Sequence, residues 1–267
     1  QKMCVYHHTD IFFTAVMSSS FTFKGDAQLD PEDKFAYEMS QQAYNKPDQR
    51  AKEVDGYEYD PTLSDENTVV YHNHGSRKTH VSNRGSITAY DWGVSDAQIA
   101  TGTEDRGARF QKAVKRVTDA HTKHGYSVST SGHSLGGSLS NYQTEKLGNN
   151  DWYEKGTTFN SGVSTLGRGG MFSKQRRECS RKSNRPAYCD KSTNLKERGD
   201  YISNNNVACD YLTFGFGGSW CRKSDAFGKT KTYDHRQSRR WRNKVTGLIP
   251  GYRFVSNLGN HSLSKFN

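Results

Sequence analysis

The sequence predicts an α/β fold, a mostly parallel central sheet with helices on both faces. Three observations carry the prediction. Gly132-His133-Ser134-Leu135-Gly136-Gly137 sets a serine between small residues, the composition of a sharp strand-to-helix turn. Before it, Tyr126 to Ser131 is short and rich in β-branched and aromatic residues, though more polar than a central buried strand usually is. On either side lie two helical patterns, Arg106 to His124 and Leu135 to Leu147.

The first helix carries Phe110, Ala113, Val114, Val117 and Ala120 at spacings that form one stripe, and Gly125 ends it. The second places Leu135, Leu139, Tyr142 and Leu147 roughly on one face. Helix, strand, elbow, helix is the order an α/β-hydrolase fold requires. Upstream, Asp30-Pro31-Glu32-Asp33 starts a helix, with proline in the first turn and acids favoured by the dipole, and that helix runs to about Tyr44. Gly56 to Asp60, Thr68 to Asn73, Ser86 to Tyr90, Thr157 to Asn160, Asn194 to Arg198 and Tyr252 to Val255 read as further strands. Residues 1–29 form a leader, and 30–267 form one domain with basic insertions at about 165–194 and 204–247.

Composition sets limits on this domain. A chain of 267 residues can bury a sizeable core, yet only 32% of it is hydrophobic. Its mean hydropathy is −0.96. The expectation is a lean core, or one supported by partners. The net charge is +10, with the basic residues gathered in Arg168 to Arg198 and Arg222 to Lys244. Such a surface suits an anionic membrane surface or an acidic protein partner. No helix-turn-helix, RRM or zinc-finger signature supports nucleic acid as a primary partner. The longest apolar run, Ile11 to Met17, is too short to span a bilayer. A chain that opens on Gln1 reads as processed or truncated, which leaves an upstream signal open.

Four of the five cysteines, Cys179, Cys189, Cys209 and Cys221, cluster in the last third, with three possible pairings. Cys179–Cys189 with Cys209–Cys221 is the simplest, and free thiols are the equal alternative. His72 and His74, two apart on one strand face, read as structural residues and not as metal ligands. No cofactor is expected.

A serine becomes a nucleophile only with a histidine base, itself oriented by a carboxylate, and in this fold the chain order is serine, acid, histidine. Downstream of Ser134 the histidines are His235 and His261. His261 follows a strand pattern and is preferred, since His235 lies in a basic stretch without one. Among the aspartates, Asp200 follows a strand pattern and a turn glycine, the place for a strand-end carboxylate.

These residues resemble the class 3 (fungal-type) lipases. The elbow Gly132 to Gly137 matches in full. Val69 to Ser76 resembles the strand that ends in R-G-T or R-G-S, with His74 in the arginine's place. Asp91-Trp92 with Asp96 resembles the D-W-x-x-D element, one residue longer. Gly199-Asp200-Tyr201-Ile202-Ser203 is similar to G-D-x-I-S, and His261-Ser262-Leu263 with Phe266 to the H-S-L-x-x-F ending. The resemblance implies a serine esterase or lipase acting on lipid esters, with Ser134 as nucleophile, Asp200 as acid and His261 as base. It also implies oxyanion donors at Leu135 and Ser76. Residues 97–105 leave no room for the family's lid helix, a feature this chain shares in resemblance with lipase-like proteins of large DNA viruses. A secreted or virion-associated protein is therefore expected. The structural alternative is a capsid or assembly subunit built on a lipase fold.

Overall fold

The computed structural model describes residues 29–86, 107–162, 173–197 and 227–233. Eight strands form one sheet in sequence order: β1 (Glu53–Val54), β2 (Tyr57–Tyr59), β3 (Thr68–Asn73), β4 (Lys78–Asn83), β5 (Ser127–His133), β6 (Tyr153–Phe159), β7 (Ser192–Glu197) and β8 (Lys229–Tyr233). The first four pair antiparallel, as hairpins allow. From β4 to β8 every pairing is parallel, so each connection must cross back along the sheet. Among the described residues three helices cover the sheet: α1 (Pro31–Gln42), α2 (Ala108–His124) and α3 (Leu135–Leu147). A short α4 (Ser173–Cys179) and a 3-10 turn (Ala187–Cys189) lie between β6 and β7.

Local chemistry explains the helix ends. The Asp30 carboxylate caps α1 by accepting the Asp33 N–H at 3.0 Å, with Pro31 at the first turn. Helix α2 stops at Gly125, whose φ of +67° is the left-handed conformation that favours glycine.

Alternation along β5 sorts the layers. Val128 and Thr130 point to α2 and α3: Val128 packs with Val70, Val81, Val117 and Tyr153, and Thr130 bonds Ser140 of α3. Ser129 and Ser131 point to the other face, where they meet His80 and Ser40 of α1. Helices therefore lie on both faces of a mostly parallel sheet, as expected.

The core accommodates many polar side chains because most of their hydroxyls and amides are paired. Thr130 Oγ1 lies 2.7 Å from the Tyr153 hydroxyl, which also meets Thr144 Oγ1 at 2.7 Å. Asn83 Nδ2 donates to Gln143 Oε1 at 2.8 Å, and Asn141 Nδ2 to Asn194 Oδ1 at 2.9 Å. His80 is fully buried between Ser129 and Ser131, and burial depresses its pKa to about 3. A buried polar group costs little once bonded, so a low apolar content is compatible with this packing.

Several expectations need correction. Lys78–Asn83 is a strand the sequence pattern did not reveal. Lys229–Tyr233 lies inside the stretch expected as an insertion, yet it supplies the eighth strand of the sheet. Likewise β7 begins at Ser192, within the first expected insertion. The strand expected at Ser86 to Tyr90 has only Ser86 among the described residues, and there it is not strand. Tyr252 to Val255, all of the expected leader 1–29 except Leu29, and residues 97–105 lie outside the described residues. Of the cysteine pairings, Cys179–Cys189 is formed; Cys209 and Cys221 lie outside the described residues.

Candidate active site

The parallel strands β4 to β7 all end on one side of the sheet, and Ser134 follows the end of β5 there. Its backbone has φ +57° and ψ −125°. Those angles belong to the first central residue of a type II′ turn, a position dominated by glycine. A serine held there stores about 1–3 kcal/mol of backbone strain, of the kind found where a side chain must be presented for chemistry.

The surrounding glycines enforce the turn by close approach. A Cβ on Gly132 would lie 2.2 Å from the Gly136 carbonyl oxygen. One on Gly136 would lie 2.1 Å from the Asn83 carbonyl oxygen, and one on Gly137 3.0 Å from Ser161. The first turn of α3 is thus pressed directly onto the ends of β4 and β6. Two backbone bonds fix the serine: its N–H donates to Phe159 O, and its carbonyl accepts from Gly162 N, both at 3.1 Å. Ser134 is buried against protein, with 8% of its surface exposed. Leu135 is the first helical residue, and the first N–H groups of a helix have no partner within it. They offer donors and a positive dipole end beside the serine.

The second wall of the site is Arg84-Gly85-Ser86, the segment that leaves β4. A Cβ on Gly85 would lie 2.8 Å from the His133 carbonyl and 3.3 Å from the Ser134 Cβ. Tyr44, just past α1, ties this segment to the elbow. Its hydroxyl accepts the Gly85 N–H at 3.2 Å and bonds His133 Nδ1 at 2.8 Å.

The structure does not bring Ser76 to this site. Ser76 sits in the β3–β4 hairpin turn, where its N–H donates to Asn73 Oδ1. That turn precedes Lys78, which pairs with Ser127 at the start of β5, whereas Ser134 follows the end of β5. Five residues of β4 at roughly 3.3 Å each put the two about 16 Å or more apart. The expectation of an oxyanion donor at Ser76 is therefore corrected. The segment that does lie beside Ser134 is Arg84-Gly85-Ser86, which spells R-G-S without substitution. The literal tripeptide was the available signal; it was missed because Lys78–Asn83 did not read as a strand.

Asp200 and His261 lie outside the described residues, as do Asp91, Trp92 and Asp96. Strand β7, which ends at Glu197, runs parallel to β6 and ends on the same side as Ser134. Among the described residues one group could hold a metal, Asp60, His72 and His124, and it lies away from the elbow.

No protein-family model matches the chain, and no curated protein matches it in sequence. Solved structures do match. Lip2 lipase from Yarrowia lipolytica is 12% identical, with 78% of this chain and 80% of that one covered and a TM-score of 0.43. A triacylglycerol lipase from Penicillium expansum is 15% identical over 79% and 81%, at 0.46. The triacylglyceride lipase of Rhizomucor miehei is 13% identical over 66% and 74%, at 0.45. These are likenesses of shape. The chain's own sheet order and strand–elbow–helix junction make it an α/β-hydrolase fold.

Proposed function

We propose that this protein is a serine carboxylic ester hydrolase acting on lipid esters through Ser134, Asp200 and His261. The observation that carries the reading is the strained backbone of Ser134 at the junction of β5 and α3, walled by glycines that admit no Cβ. No structural task requires a serine at a turn that glycine would adopt freely. A nucleophile that must be presented at the end of a sheet does require it.

In this reading Ser134 Oγ attacks the ester carbonyl while His261 takes its proton, and Asp200 orients the imidazole and stabilises it when charged. The negative charge of the tetrahedral intermediate falls on the amides of Leu135 and Ser86, with Ser86 replacing Ser76 in that role. Collapse expels the alcohol, protonated by His261, and leaves an acyl group on Ser134. Water, deprotonated by the same histidine, then releases the acid. The choice of lipid esters rests on the sequence resemblance of the elbow and the R-G-S segment, and the lipases named above are consistent with it. The basic surface would hold the enzyme near an anionic membrane surface or an acidic partner. Secretion or virion association is the corresponding location.

Turnover of short-chain p-nitrophenyl esters tests the reading. Wild-type protein should hydrolyse them, and Ser134→Ala should lower kcat by about 10^6-fold. Wild-type protein that neither turns over such esters nor reacts with a fluorophosphonate would end it.

A further inference from the structure

The geometry points to a second site: Asp60, His72 and His124 form a binding site for a divalent transition-metal ion of the zinc type. The site lies at the opposite end of the sheet from Ser134, since His72 pairs with Thr79 near the start of β4. The sequence alone reads His72 and His74 as structural, because Asp60 follows β2, His72 lies in β3 and His124 ends α2, and only the fold brings the three together.

One ligand atom from each residue lies within 4.8 Å of the other two. Asp60 Oδ2 and His72 Nε2 are already 2.8 Å apart. Tetrahedral zinc, with bonds of about 2.0–2.2 Å, needs ligand atoms about 3.3 Å from one another. The Asp60–His72 pair need open by only about 0.5 Å, and His124 is the half-buried member of the three. An ion would enter on that side.

The two buried ligands are oriented from behind, as metal ligands commonly are. The other oxygen of Asp60 accepts the Thr62 N–H at 2.9 Å, the Thr62 hydroxyl at 2.6 Å and the Leu63 N–H at 3.2 Å. The other nitrogen of His72 meets Thr79 Oγ1 at 2.7 Å. This hydroxyl can donate or accept. When Nε2 gives its proton up to bind a metal, Nδ1 can carry the proton and donate to Thr79 instead.

The site already attracts a cation. Lys123 Nζ lies 2.6 Å from Asp60 Oδ2 and 2.9 Å from Thr62 Oγ1. Its side chain is 37% exposed, so it can withdraw into water and yield its place to an ion. His74 stands next to the group, its ring 5.3 Å from that of His124 and 6.2 Å from that of His72. Among the described residues it is the imidazole available for a fourth position. Two imidazoles with one carboxylate suit zinc, copper or nickel better than calcium or magnesium, which prefer oxygen ligands.

Titration of the purified protein with zinc chloride, by calorimetry and by competition with a chromogenic chelator, tests this. Wild-type protein should bind one equivalent at micromolar affinity or better. His124→Ala, at a half-exposed helix end, should weaken binding about tenfold or more and leave ester hydrolysis unchanged. Lys123→Met should tighten binding by removing the competing ammonium. No binding at submillimolar zinc would overturn the proposal. So would binding that His124→Ala leaves intact, or a Lys123→Met variant that binds no better than wild type.

Discussion

Gly136→Ala tests whether the elbow is held by contact between α3 and the end of β4. The added methyl would meet the Asn83 carbonyl oxygen at 2.1 Å, where ordinary contact begins at 3.4 Å. Both partners are backbone, so relief requires the helix start and the strand end to separate by about 1 Å, against close-packed surroundings. Overpacking of this kind costs about 3 kcal/mol or more, against about 1 kcal/mol gained from alanine's helix propensity. At about 2 °C per kcal/mol for a chain of this size, thermal unfolding should move down by at least about 4 °C. The same separation carries Arg84-Gly85-Ser86 away from Ser134, and a misplacement of about 1 Å can cost about 100-fold in rate. Gly125→Ala is the control. Nothing lies within 4 Å of its added methyl, and only its φ of +67° resists. It should lose about 1 kcal/mol and no specific activity. Circular dichroism melts and ester turnover per folded molecule measure both effects. A Gly136→Ala protein with wild-type melting and turnover, or one no worse than Gly125→Ala, would refute the reasoning.

Three further outcomes follow from the same structure. Tyr44→Phe removes the hydroxyl that joins Gly85 N–H to His133, so ester kcat should fall at least several-fold and stability by about 1–3 kcal/mol, read by turnover and urea unfolding. His80 should make the fold acid-sensitive. Its folded pKa, about 3, lies below the unfolded value of 6.5, so the folded state resists protonation. That contribution is complete above pH 6.5 and is lost as pH falls, by about 2 kcal/mol at pH 5. Urea unfolding at pH 7.5 and pH 5 should show this loss in wild type and a smaller one in His80→Gln. Reduction of Cys179–Cys189, which closes a loop of sequence separation 10, should cost about 3 kcal/mol, visible as a lower melting temperature in dithiothreitol.

Elements with local signatures were legible in the sequence. The Asp30 cap, the apolar stripe of α2 and the glycine at its end each state their structure in neighbouring residues. Ser134 and Leu135 were legible for the same reason, since the turn's steric demands are written in Gly132, Gly136 and Gly137. Strand β4 was not. Lys78-Thr79-His80-Val81-Ser82-Asn83 holds one aliphatic residue, and its polar side chains from Thr79 to Asn83 are buried against partners brought in from elsewhere in the chain. His80 meets Ser129 and Ser131, and Asn83 meets Gln143. Without β4 the expected oxyanion segment fell at Ser76, whereas the segment beside Ser134 is Arg84-Gly85-Ser86. Strand β8 hid for a different reason: among the described residues it is the last strand of the sheet, and its lysines, Lys229 and Lys231, mask the strand pattern. The Asp60–His72–His124 group was invisible because the pairing of β3 with β4 and the end of α2 must all be in place before it exists.

The central claim is that the strained turn presents Ser134 as a nucleophile. Intact-mass analysis after treatment with a fluorophosphonate, followed by peptide mapping, measures that directly. One adduct per chain is expected, on Ser134, absent from Ser134→Ala and from heat-unfolded protein. A folded wild-type protein that stays unmodified, or that is modified at another residue, would contradict it.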